Sequence, residues 1–216
     1  MTLNTMLVQL STGMMKSVGI FCWTLIFSLP LGLLVSFGRM SKNPVIRFLF
    51  KIYISIMRGT PLMLQLLVVF YGPYYLFGMS IGGAYRYIAI LIGFSVNYAA
   101  YFAEIYRSGI ESMPAGQYEA ARILGYNKVQ TFGKIILPQV IKRILPAVTN
   151  EVITLVKDTS LAFALVYMEM FSIAKQIAAA ETTMMPFAIA GIFYYVFNLL
   201  VATIMEWLEK KLSYYR

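Results

Sequence analysis

Five long apolar blocks, separated by shorter polar stretches, set the plan of the 216-residue chain. The first contains 22 uncharged residues between Lys16 and Arg39. At about 1.5 Å per residue that is enough to cross roughly 30 Å of hydrocarbon. A second block begins among Ile52 to Met57 and continues from Gly59 to about Phe77. Pro61 sits early enough in it to be tolerated or to kink the helix. A loop with Gly78, Gly82 and Gly83 leads to a third span from about Tyr87 to Ala103, which Glu104 and Arg107 close. A fourth, interrupted span covers about Ala147 to Phe171, and a fifth about Pro186 to Met205. The pattern predicts an all-α membrane protein with five transmembrane helices in a single domain, 1–216. The first block is long for a secretory signal and has no persuasive small-residue cleavage site, so it reads as a retained span.

One polar stretch, 112–139, stands apart from these blocks. Pro114 suits a first helical turn, Gln117 to Leu124 favour helix, and Gly125 is placed to end that helix in a left-handed residue. Asn127 can cap a second short helix that Pro138 interrupts. The expected product is a helix–turn–helix outside the membrane, in which the adjacent small residues Ala120 and Ala121 allow close approach of another protein.

Composition supports the membrane assignment: 60% of residues are hydrophobic, 12% are charged, and the mean hydropathy is +0.72. The net charge of +9 does not form one continuous patch, so nucleic acid is not the expected partner. It sets orientation instead. With the N-terminus outside and the C-terminus cytoplasmic, 15 of 18 basic residues fall on the inner side, leaving Lys16, Arg86 and Lys175 outside. Even without Arg58 and Lys157 the ratio is 13 to 3, which places 112–139 in the cytoplasm. The absence of histidine and the single Cys22 argue against a zinc or haem site. No phosphate-binding GxxxxGK[ST] loop occurs, so any ATP must be bound elsewhere.

Glu119, Ala120, Ala121 and Gly125, followed by Ile136, Leu137 and Pro138, closely resemble the EAA loop of permease subunits in ATP-binding-cassette (ABC) importers. The run from Asn97 through Gly125, with RGTPLMLQ at Arg58 to Gln65 and KDTSLA at Lys157 to Ala162, is similar to the polar amino-acid branch, the histidine/glutamine/arginine permease-like family. This resemblance implies a type I importer-like transmembrane domain in a bacterial inner membrane. It also implies that Glu119, Ala120, Ala121, Arg122 and Gly125 couple to ABC ATPase subunits that hold the ATP and magnesium. An extracytoplasmic substrate-binding protein would deliver an amino acid, and five spans make half a transport path, so a second permease subunit, identical or similar, is expected. A basic interfacial helix is the plainer reading of the loop, but it would not require the Glu-Ala-Ala-to-Gly spacing.

Ionisable groups at membrane depth mark candidate chemistry. The fourth span holds Glu151, Lys157 and Asp158; Glu151 and Asp158, seven apart, share a face of a continuous helix. Asp158, Thr159 and Ser160 are all helix-capping types, which predicts a break there and a restarted half-helix. Its N-terminus would suit an α-carboxylate and Asp158 an ammonium, unless Asp158 caps the helix itself. Glu151 reads equally as a cavity residue favouring cationic substrates or as a loop-edge residue near Arg143. Asn97 in the third span and Gln65 in the second complete the candidate substrate set, although an interhelical hydrogen bond accounts for Asn97 equally well. Arg58 is expected to be an interfacial anchor. The alternative function, an ion-coupled secondary transporter of small polar solutes, is disfavoured by the odd span number and the lack of visible inverted repeats.

Overall fold

The computed structural model describes residues 2–212; Arg216, counted above among the inner basic residues, lies outside them. Among the described residues the chain is helical: α1 Leu3–Arg39, α2 Pro44–Gly59, α3 Leu62–Phe77, α4 Gly83–Glu111, α5 Ala115–Ile123, α6 Lys128–Gln130, α7 Leu137–Asp158, α8 Met170–Glu181 and α9 Met185–Leu212. Three of these, α1, α4 and α9, are long and apolar enough to cross a membrane. Two bent pairs raise the number of spans to five if each pair counts as one.

Helix α1 starts well before Lys16, capped by the Thr2 side chain, which accepts from the Thr5 amide. Its 37 residues reach roughly 55 Å, far more than the bilayer requires. The first turns pack Met6 and Leu10 against Met170 and Ala174 of α8 and Ala190 of α9. Further along, α1 lies close on α4 because its contact face is small: Thr24, Ser28 and Ser36 are fully buried, and a Cβ on Gly32 would stand 2.8 Å from the Phe102 Cβ and 3.1 Å from the Ala99 carbonyl. Close backbone approach of this kind is how helices associate where lipid removes the hydrophobic drive. Phe94, Phe102, Ile90, Leu66 and Leu155 fill the main core between α3, α4 and α7. Large apolar side chains on the outer faces, such as Leu34, Val68, Leu199 and Trp207, are exposed as lipid contact demands.

The second span is not merely kinked. Helices α2 and α3 meet at 112° across Thr60 and Pro61. Pro138, expected to interrupt, does not: residues Thr131–Ile136 wind as a π-helix and carry the chain from α6 straight into α7, with Pro138 in the first turn of α7. A wider turn relieves the clash between a proline ring and the carbonyl four residues back, and it tolerates the missing N–H.

The break in the fourth span lies later than the capping residues suggest. The chain continues from Asp158 into a 3₁₀ turn, Thr159–Leu165, and Asp158 makes no capping bond. The direction changes by 59° only past Val166, a left-handed residue with φ 54°. Glu169 caps α8 instead, accepting from the amides of Phe171 at 2.7 Å and Ser172 at 2.8 Å. Thr159 and Ser160 cannot open a helix because their hydroxyls donate back to the carbonyls of Val156 and Lys157, both at 2.8 Å.

Replacing Gly32 by valine is expected to force α1 from α4 and to destabilise the subunit by about 1–3 kcal/mol, the usual effect of overpacking. Thermal unfolding of the purified subunit in detergent measures it; an unchanged midpoint would contradict the close α1–α4 contact.

Candidate functional site

Polar groups collect at three levels of the bundle. At the α2–α3 elbow, Pro61 has no N–H to give the carbonyl of Met57, four residues earlier. Two side-chain amides replace it: Gln65 Nε2 and Asn97 Nδ2 each donate to the Met57 carbonyl at 3.0 Å. Asn97 Nδ2 also donates to Gln65 Oε1 at 2.9 Å, and Gln65 Nε2 reaches the Thr60 hydroxyl at 2.7 Å. Asn97, 3% exposed on α4, and Gln65 on α3 are therefore brought together, and their amide hydrogens serve the broken backbone.

One residue on, α4 turns Tyr98 toward α7, where its hydroxyl donates to Asp158 Oδ2 at 2.7 Å. Tyr98 is buried and Asp158 half-buried. The tyrosine was not singled out from sequence; its position beside Asn97 in an apolar span is the signal that could have found it. Thr159 is fully buried next to this pair, and both its hydroxyl hydrogen and that of Ser160 point to the helix backbone.

Two turns toward the 112–139 end, Glu151 lines a cavity of about 310 Å³ between α4 and α7. Arg58, Tyr101, Glu104 and Arg143 line it as well. Glu104 pairs with Arg107, which also bonds Glu111, and Arg143 donates to the Ser112 carbonyl at 3.1 Å. Tyr98 and Tyr101, with ring centroids 6.1 Å apart, join this cavity to the Asp158 level.

Between Gln117 and Gln130 the loop is built as its sequence spells out, with one exception. Helix α5 follows Pro114, which stands at the N-cap position. It ends in a Schellman turn: Gly125 has φ +79°, its amide donates to the Arg122 carbonyl and that of Tyr126 to the Ala121 carbonyl, both at 3.0 Å. Nothing lies within 4 Å of a Cβ placed on Gly125, so the backbone angle, not crowding, requires glycine. Asn127 and Gln130 form a reciprocal capping box. The exception is Ala121, only 1% exposed, which is buried within the loop and cannot meet a partner. Glu119, Ala120 and Arg122 are exposed, beside Ile123 at 85%, Leu124 at 72% and Val129 at 82%. That apolar patch was not foreseen. Its residues occupy ordinary helix positions, and only the folded turn shows which way they point.

Helical spans broken at depth, a carboxylate held between α4 and α7, and an apolar-tipped loop at one end fit a membrane-embedded transport subunit. The chain belongs to the family described as "Binding-protein-dependent transport system inner membrane component", which matches residues 28–214. It is therefore an integral inner-membrane protein that works with ATPase and substrate-binding partners. Among its relatives are a putative glutamine transport system permease protein GlnP of Rickettsia bellii (strain RML369-C), 37% identical over 87% of this chain and 85% of that one. The probable amino-acid ABC transporter permease protein YckA of Bacillus subtilis (strain 168) is 38% identical over 94% and 87%. The L-cystine transport system permease protein TcyB of the same strain is 33% identical over 95% and 87%. Among solved structures, a chain of an amino acid ABC transporter crystallised with histidines superposes with a TM-score of 0.86 at 28% identity, covering 98% of this chain and 100% of that one. The MetNI methionine ABC transporter in an inward-facing form shares the fold, with a TM-score of 0.77 at 19% identity over 99% and 100%.

Asn97→Leu and Gln65→Leu are each expected to lower stability by about 0.5–1.5 kcal/mol, the net worth of a hydrogen bond, because the other amide still serves the Met57 carbonyl. Because both serve one carbonyl, the double variant should deviate from the sum of the two. Thermal unfolding of the three variants measures this, and strict additivity with no individual loss would exclude the elbow role.

Proposed function

We propose that this chain is the transmembrane subunit of an ABC importer that carries a polar or basic amino acid into the cytoplasm, driven by ATP hydrolysis on partner subunits. The observation that carries the reading is the Tyr98–Asp158 pair: a half-buried carboxylate, oriented between α4 and α7 by a neutral donor, in a chain whose relatives bear glutamine, cystine and amino-acid permease names. Lone carboxylates inside a membrane are costly and usually functional. Asp158 would take the substrate ammonium. Glu151 would add selectivity for a cationic side chain, and Asn97, Gln65, Thr159 and Ser160 would shape the surrounding wall.

The distribution of basic residues supports an N-terminus outside and 112–139 in the cytoplasm. In that arrangement Glu119, Ala120 and Arg122 present the coupling surface, Gly125 holds its turn, and Ala121 supports it from within. The apolar tips of Ile123, Leu124 and Val129 fit insertion into a cleft on an ATPase subunit. A second permease subunit, identical or similar, would complete the path across one transmembrane domain per chain, 1–216. ATP and magnesium would be bound by the ATPases, and this chain would hold no cofactor and catalyse no reaction of its own.

Reconstitution of the subunit with its ATPase, second permease and binding protein tests this directly. Asp158→Asn should reduce uptake of the carried amino acid at least tenfold while the complex still assembles; full uptake by that variant would remove Asp158 from the path. Ala120→Trp is expected to insert normally yet retain less ATPase on copurification, and normal retention would exclude α5 as the docking surface.

A further inference from the structure

The loop-end cavity carries four charged side chains, and two of them are already engaged: Glu104 by Arg107 and Arg143 by the Ser112 carbonyl. The other two, Arg58 and Glu151, form no ion pair among the described residues. Arg58 stands at the C-terminal end of α2, just before the elbow, with its guanidinium 5.3 Å from the centroid of the Tyr101 ring. A cation seated on an aromatic face is fixed in place without losing its hydrogen-bond donors. Glu151 projects from α7 into the same cavity. The guanidinium and the carboxylate lie within electrostatic reach of each other but not in ion-pair contact, so a molecule bearing the opposite two charges can bridge them. The volume of about 310 Å³ lies at the small end of ligand cavities, roughly 300–1,000 Å³.

We infer that this cavity is a second amino-acid site on the loop side of Asp158, in which Arg58 receives the α-carboxylate in bidentate fashion and Glu151 the α-ammonium. The inference rests on the transport reading above and extends it: the substrate would step from the Tyr98–Asp158 level past Tyr101 to a zwitterion-specific vestibule. Arg58 thereby becomes a specificity-determining residue in place of the interfacial anchor that its position in the sequence suggests. It distinguishes an amino acid from the corresponding amine, because only the former has a carboxylate to engage the fork.

The test uses the whole permease–ATPase complex in lipid nanodiscs without binding protein, in an Asp158→Asn background that removes the deeper carboxylate. Equilibrium binding is measured for arginine, glutamine and cystine, each against its decarboxylated amine: agmatine, 4-aminobutanamide and cystamine. At least one amino acid should bind ten times or more tightly than its amine. Arg58→Gln should abolish that preference by weakening amino-acid binding without weakening amine binding, Arg58→Lys should restore part of it, and Glu151→Gln should weaken amino acid and amine together. Equal loss of both ligands in Arg58→Gln, in a complex that assembles normally, would assign Arg58 a structural role and overturn the inference. So would undiminished preference in that variant, or no binding of any amino acid. Uptake by the otherwise native complex with its binding protein separates the two readings: normal uptake with Arg58-independent binding rejects only the vestibule, whereas no uptake of any amino acid rejects the transport assignment itself.

Discussion

A backbone carbonyl stranded in hydrocarbon costs several kcal/mol, and Pro61 would strand that of Met57. The elbow between α2 and α3 exists because side chains supply what the proline withholds. Gln65 reaches back from α3 and Asn97 across from α4, so the repair ties three helices at one point. The second break obeys the same rule. At the turn before α8, fully buried Glu169 accepts from two α8 amides and the Ser172 hydroxyl, and Tyr194 of α9 and Ser17 of α1 also donate to it. Irregular backbone at membrane depth is thus held by dedicated polar side chains from neighbouring helices, and those side chains fix how the spans meet.

This constraint also places the polar groups deeper in the bundle. Because Asn97 must face the elbow, the next residue of α4 is turned about 100° away, which directs Tyr98 to α7 and Asp158. Asp158 in turn belongs to a continuous rod. From Lys128 through the π-helical stretch to Asp158 the helix runs unbroken, roughly 45 Å at about 1.5 Å per residue. The segment that follows α5 and the two carboxylates of α7 therefore belong to one continuous helical run. A displacement of residues 112–139 would carry Glu151 and Asp158 past α4 without a separate lever.

Much of this was legible in the chain. Five apolar blocks mark the spans, and the loop could be read almost residue by residue, since its chemistry is local: a left-handed Gly125 and the Asn127–Gln130 box depend on neighbours only a few positions away. What escaped was non-local. The sharpness of the bend at Pro61 follows from donors 4 and 36 residues further along the chain, at Gln65 and Asn97. The capping types at 158–160 were a fair signal for a break, but their hydroxyls found carbonyls in the preceding turn, and the lone acidic residue of the following loop, Glu169, took the cap. Pro138 was read as a stop because a proline is hard to place in a regular α-helix; a π-turn ahead of it removes the conflict. Ala121 looked like its neighbour Ala120, and only the packing of α5 on the π-helical stretch separates the two.

The later break also leaves Asp158 outside any helix cap. As a helix cap it would direct its oxygens at amide N–H groups, and its charge would be absorbed by the helix N-terminus. In its actual place it makes no cap bond and receives one neutral hydrogen bond, from Tyr98. Lys157, adjacent in sequence, is exposed and forms no ion pair among the described residues. Asp158 is therefore held in orientation without an ion-pair contact among the described residues. A half-buried carboxylate in that condition gains more from an arriving ammonium than one already paired with a cation, because no existing ion pair has to be broken first. Tyr98 fixes one oxygen of Asp158 through a neutral hydroxyl and adds no opposing charge.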